Sequence, residues 1–132
     1  MLLYKFLNYF FFVFHTSLIF FNLFGFLFKK TRLLNLITLS LTAFSWFILG
    51  IFYGIGYCFC TDWHWQVRAK LGIIDNFDSY IQFLVFKISG ISFDINLTTV
   101  VAMIVFGIAF LFSILLNLSD FINYLKRTKK KN

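Results

Sequence analysis

Three stretches of this chain carry no charged side chain: Phe6 to Phe28, Leu33 to Cys60 and Ile95 to Ser119. Each is at least as long as the roughly 20 apolar residues a helix needs to cross a hydrocarbon core about 30 Å thick. At 1.5 Å per residue the first alone reaches about 34 Å. The expectation is an all-α membrane protein: one membrane domain over residues 1–132, with transmembrane helices at 6–28, 33–58 and 95–119. Composition agrees, since 61% hydrophobic residues, five acidic residues and no proline exclude an ordinary soluble domain. Twenty-two phenylalanines, with Ile, Asn and Lys also common, are compatible with an AT-rich coding sequence. Phe counts are therefore given no functional weight. The first apolar run exceeds the usual signal-peptide limit of about 15 residues and lacks a small-x-small cleavage pattern, so it is expected to be a retained anchor.

Charge sets the expected orientation. Lys29, Lys30 and Arg32 lie between the first two spans, and Lys126, Arg127, Lys129, Lys130 and Lys131 follow the third. Basic residues flanking spans favour the cytoplasmic side. An odd number of spans puts both clusters on that side, with the N-terminus outside and the C-terminus inside. On the other side Lys5, Arg68, Lys70 and Lys87 balance Asp62, Asp75, Asp78 and Asp94. The apolar stretch 77–93 is short for a span and carries Lys87. Phe77, Tyr80, Ile81, Leu84, Val85 and Ile88 recur at helical spacing, with Asp75, Asp78, Ser79 and Gln82 opposite, the pattern of a helix lying in the membrane interface.

Segment 61–94 is the long extracytoplasmic stretch, and it holds most of the polar groups capable of specific chemistry. Thr61 suits a helix cap, Asp62 the positive N-terminus, Lys70 the negative end and Gly72 a left-handed stop, so a short helix is predicted here. Trp63 and Trp65 suit headgroup anchoring. His64 and Arg68, one turn apart, share a neighbouring face. His64 could carry a proton or bind a metal or haem, and Arg68 could hold a phosphate or carboxylate. Together Trp63, His64, Trp65 and Arg68 form the candidate docking or ligand surface.

Gly50, Gly54 and Gly56 lead into Tyr57-Cys58, followed by Thr61, Trp63, Arg68, Gly72 and Tyr80. In this pattern the chain resembles a bacterial family of small polytopic inner-membrane proteins classified as a domain of unknown function. That family is marked by a glycine-rich span, a Cys-Pro-Leu-Thr motif and a downstream Arg and Gly. Cys58 and Thr61 match the ends of the motif, whereas Phe59 and Cys60 occupy its Pro and Leu positions. The resemblance covers residues from about 14 to 80. It implies a multi-pass protein of the bacterial inner membrane and transfers no catalytic role to any residue. Without the proline, the second helix is free to run on through Cys60.

Other constellations are weighed by their chemistry. Cys58 and Cys60 form a candidate redox pair, although residues two apart in a helix diverge, and no Cys-x-x-Cys is present. With His64 they supply three metal ligands and no fourth. His15 and Asn22, seven residues apart in the first span, share one face and suit a polar seam toward Thr38, Ser40, Thr42 and Ser45. Gly50, Gly54 and Gly56 read as a small-residue packing stripe on the second span. No catalytic constellation, metal site or cofactor is predicted. The leading expectation is a non-enzymatic accessory subunit that pairs with other integral membrane proteins or with itself. Its basic tail would attract anionic lipid and, abutting a span with no recognition fold, no nucleic acid. The competing expectation is a membrane redox or lipid- or quinone-handling protein with an outer-leaflet site around Cys58, Cys60, His15 and His64, with haem as a further ligand weighed.

Overall fold

The computed structural model describes residues 1–74 and 76–132. Its elements are α1 (Leu2–Phe24), α2 (Arg32–Tyr53), α3 (Phe59–Lys70), α4 (Tyr80–Ser89) and α5 (Ile95–Lys131). A 3₁₀ turn at Gly25–Leu27 follows α1, and the middle of α2, Phe44–Leu49, is a π-helical segment. There is no strand among the described residues. The α1 helix with its 3₁₀ turn, α2 and α5 are long and apolar enough to cross a membrane.

The arrangement inverts a soluble core. Val100, Ile104, Ile108, Leu111 and Leu115 on α5 are exposed, whereas the polar His15, Asn22, Asn35, Ser45, Thr98 and Ser113 of the long helices are buried. Lipid chains are as apolar as leucine, so hydrophobic surface gains nothing by turning inward; an unpaired polar group in hydrocarbon does. Asn22 Nδ2 donates to Thr42 Oγ1 at 3.0 Å. Asn35 Nδ2 donates to the carbonyls of Phe21 at 2.8 Å and Asn22 at 3.3 Å. That approach depends on Gly25, where an added Cβ would stand 2.9 Å from both Asn35 Nδ2 and the Phe21 ring.

A charged clasp closes the same end. Arg32 grips both oxygens of Asp120 at 3.0 Å, while its Nε donates to the Phe26 carbonyl at 3.0 Å. Asn117 Nδ2 in turn donates to the Arg32 carbonyl at 3.0 Å. The pair ties α5 to the α1–α2 hairpin, with Nη1 meeting both carboxylate oxygens while Nε is free to hold the Phe26 carbonyl, a division of donors a lysine could not make.

Two helix boundaries differ from expectation. The second helix stops at Tyr53 and does not reach 58: Gly54 adopts φ +108°, and its N–H donates to Gly50 at 2.8 Å. Gly56, at φ +90°, donates to the Trp46 carbonyl at 3.1 Å, and Ser45 Oγ donates to the Tyr57 carbonyl at 2.9 Å. The chain thus folds back against the π segment. Gly50, Gly54 and Gly56 consequently form no stripe on a continuous helix. A Cβ at Gly50 would meet Ile55 of the same turn at 3.1 Å, and one at Gly54 or Gly56 would meet nothing within 4 Å among the described residues. The last helix, in contrast, does not end at 119; it is a single helix of 37 residues that carries the basic tail to Lys131.

Between α2 and α5, α3 begins at Phe59, earlier than the expected cap at Thr61, which lies inside the helix. It ends at Lys70, with Gly72 at φ +76° just beyond. The helix predicted over 77–93 is confined to Tyr80–Ser89 and ends in left-handed Gly90. Tyr80, Phe83 and Leu84 are its buried face, against Phe12, Ile19, Trp65 and Phe77. Asp78 is exposed; Asp75, placed with it on the polar face, lies outside the described residues. Asp94 then caps α5, its Oδ2 accepting from the amides of Asn96 at 3.0 Å and Leu97 at 3.2 Å.

Gly25→Ala should lower stability in detergent by about 1–3 kcal/mol, because a methyl group must displace Asn35. Gly107→Ala, which meets nothing within 4 Å, should be neutral or slightly stabilising. Thermal unfolding of the two variants compares them directly, and equal losses would remove Gly25 as the packing contact. In a double-mutant cycle, Arg32→Ala and Asp120→Ala should show a coupling of about 1–3 kcal/mol.

Candidate functional site

Where α1 meets α3 and α4, the chain gathers most of its reactive side chains. Asn8 lies seven residues before His15 and fourteen before Asn22, so α1 presents one polar stripe along its length. His64 is fully buried on α3, and its Nε2–H donates to Asn8 Oδ1 at 2.8 Å. Arg68, one turn on, donates to the same oxygen at 3.4 Å. The inward face of α3 is therefore its polar one, carrying Cys60, His64 and Arg68, while Trp63 faces out with 52% of its surface exposed. The exchange follows from the polar stripe on α1, which offers hydrogen bonds that the apolar face of α3 could not use.

The stretch 63–65 accordingly does not form one docking surface. Trp63 packs edge-on against Phe59 at 5.3 Å, and His64 is closed off from any partner surface. Half-buried Trp65 donates from Nε1 to the Phe77 carbonyl at 3.0 Å, fastening the start of α4 to α3.

Tyr80 joins these groups to His15. The two rings stack with centroids 4.0 Å apart. The Tyr80 hydroxyl donates to the Phe12 carbonyl at 3.2 Å and accepts from Thr16 Oγ1 at 2.9 Å. Burial pushes the Tyr80 pKa up, which keeps the phenol protonated and able to donate. His15 Nε2 lies 3.6 Å from Cys58 Sγ. Its Nδ1 is buried without a hydrogen-bond partner among the described residues. His15 thus turns toward Cys58 and Tyr80, away from the hydroxyls of α2.

Cys58 and Cys60 are free thiols. Cys58 precedes α3 with extended backbone, φ −125° and ψ 117°, and only Cys60 is helical. The divergence expected of two helical positions therefore does not apply to this pair. The neighbouring Cys60 thiol, and then the His15 imidazole, hold the Cys58 pKa well below the ordinary thiol range. Cys60 is pushed up by the neighbouring Cys58 and by burial. Among the described residues no three His, Cys or carboxylate side chains converge into a metal-binding group.

Beside this cluster a cleft of about 120 Å³ is lined by Asn8, Tyr9, Phe12, Arg68, Phe83 and Lys87. Both cations lie over one ring, with the Arg68 guanidinium 5.0 Å and Lys87 Nζ 5.8 Å from the Phe83 centroid. The cleft therefore combines two positive charges and an amide with aromatic walls. Asn8 and Lys87 are site residues that sequence reasoning passed over, and Tyr80 it places in the family pattern and on an apolar helix face without a role in the site. The seven-residue spacing on α1 points to Asn8. The role of Tyr80 is not marked locally, because its partners Phe12, His15 and Thr16 lie far away along the chain.

Residues 5–118 match the model of a family described as Protein of Unknown function (DUF2784). No curated protein and no solved structure matches the chain.

Tyr80→Phe, which removes two hydrogen bonds, should destabilise the protein by about 2 kcal/mol and Thr16→Val, which removes one of the two, by about 1 kcal/mol, with non-additive losses when combined. Simple additivity in the double mutant would separate the two side chains.

Proposed function

The chain belongs to the DUF2784 family, which carries no assigned activity, and we propose from its own geometry that it binds an amphiphile with a phosphate-bearing headgroup. The observation that carries this reading is the cleft of Arg68, Lys87 and Asn8 beside Tyr9, Phe12 and Phe83. Two cations and an amide suit a phosphate, and the aromatic walls suit the first carbons of the chain attached to it. A volume of about 120 Å³ admits a headgroup but not a whole lipid, so the acyl or isoprenoid portion would run along the exposed faces of the long helices.

In this proposal the protein is a multi-pass component of a bacterial inner membrane, N-terminus outside and C-terminus inside. The clasp between Arg32 and Asp120 supports that orientation, because it places the basic loop after α1 beside the helix that carries Lys126 to Lys131. The cleft then sits at the outer leaflet, with α3 and α4 as interfacial helices and Trp63, Phe86 and Ile88 exposed to the headgroup region. Binding, and no chemical step, is what the cleft supports. The accessory-subunit reading drew on a glycine stripe, and the bend at Gly54 leaves it without that support.

Native mass spectrometry from nanodiscs containing both anionic and zwitterionic phospholipid tests the reading. Retention of the anionic lipid should fall about tenfold in Lys87→Gln and further in Arg68→Gln/Lys87→Gln, as expected for losing one charge-assisted contact at a time. Lys129→Gln/Lys130→Gln/Lys131→Gln should keep the cleft-bound lipid. Phospholipid retention left unchanged by Lys87→Gln and by Arg68→Gln/Lys87→Gln would overturn the proposal.

A further inference from the structure

The cleft makes no use of the thiols behind it. We propose that Cys58 and Cys60 form a dithiol that reduces a disulfide, with Cys58 as the attacking sulfur, Cys60 as the resolving sulfur and His15 as the base.

Three features of the structure assign these roles. Cys58 is half-buried, whereas Cys60 is 3% exposed, so an incoming disulfide meets Cys58 first and Cys60 waits behind it. Cys58 has extended backbone and Cys60, two residues on, lies in the first turn of α3, so the two are not held apart as two helical positions would be. His15 Nε2 stands 3.6 Å from Cys58 Sγ and is held there by stacking on Tyr80, itself fixed by Thr16 and the Phe12 carbonyl. An imidazole so placed takes the thiol proton and stabilises the thiolate. The unpartnered Nδ1 of His15, buried beside the pair, has a donor or acceptor to offer to an incoming group.

The exchange balances as follows. His15 accepts the Cys58 proton, and the thiolate attacks one sulfur of the substrate disulfide. The substrate S–S bond breaks, Cys58 is joined to one half, and the other half leaves as a thiolate that takes up a proton. Cys60 then loses its proton and attacks Cys58 Sγ, closing a Cys58–Cys60 disulfide and releasing the second half as a thiol. The protein loses two electrons and two protons, and the substrate disulfide gains them. The inference stands on residues outside the cleft, and its test does not involve lipid.

Glutathione disulfide serves as the probe, with the full-length protein in detergent micelles or nanodiscs. Intact mass after alkylation should show both cysteines protected together and the chain lighter by two hydrogens. Cys60→Ser should trap a glutathione adduct on Cys58, and Cys58→Ser should trap none on Cys60. In the unaltered protein, Cys58 should react with iodoacetamide rapidly at pH 6. His15→Gln should slow this by roughly tenfold to hundredfold and move the profile toward the ordinary thiol range near about 8.5. Circular dichroism of His15→Gln checks that it folds; if it does not, the pH profile of the unaltered protein and the position of the Cys60→Ser adduct decide. Cysteines that stay alkylatable at every glutathione ratio, an adduct confined to Cys60, or a disulfide-linked dimer would each overturn the assignment.

Discussion

Hydrocarbon removes the force that organises a soluble core, because apolar side chains gain nothing by leaving lipid for protein. What remains to hold helices together is close packing and hydrogen bonding between polar groups, and in this chain polar side chains take the inward faces. Asn22, Asn35, Ser45 and Ser113 occupy positions that leucines fill in a soluble bundle. Asn22 bonds to Thr42, and Asn35 to carbonyls exposed where α1 gives way to the 3₁₀ turn, so the break after Phe24 and this part of the polar seam depend on each other. The clasp of Arg32 on Asp120 extends the seam to the end of the bundle and fixes the height of α5 against the other two helices.

At the opposite end the same constraint has a chemical consequence. The stripe on α1 continues through His15 to Asn8, and these side chains need partners that α2, ended at Tyr53, does not supply. The turn through Gly54 and Gly56 brings Cys58 back to His15, and α3 then lies with its polar face on α1 so that His64 and Arg68 reach Asn8. Tyr80 closes the arrangement from α4. A site containing two histidines, two thiols and an arginine thus arises where the packing requirement of α1 is met by the segment between the second and third spans.

The cleft and the dithiol share this framework but use different residues. Phe83 carries the two cations of the cleft on its ring, and Tyr80, one turn earlier on the same helix, holds His15 against Cys58. A shift of α4 along its axis would therefore disturb both. That places α4, short and fastened at each end by Trp65 to Phe77 and Gln82 to Phe93, at the mechanical centre of the site.

The three long helices were legible in the sequence because charge-free length is a local property that hydrocarbon thickness tests directly. The partial legibility of the site has the same origin: His15, Asn22, Cys58, Cys60, His64 and Arg68 stand out as polar or reactive groups in apolar surroundings. Three matters were decided only by tertiary structure. Glycines at spacing four read equally as a packing stripe or as a helix stop, and the sign of φ at Gly54 and Gly56 settles which. A helix bearing tryptophans on one side and His64 and Arg68 on the other presents whichever face its neighbour can satisfy, and the neighbour, α1, is more than forty residues away in sequence. Tyr80 acquires its role from contacts that no local pattern encodes. Sequence determines which segments hydrocarbon will accept as helices; which polar groups then meet is set by the hydrogen bonds available across the folded chain.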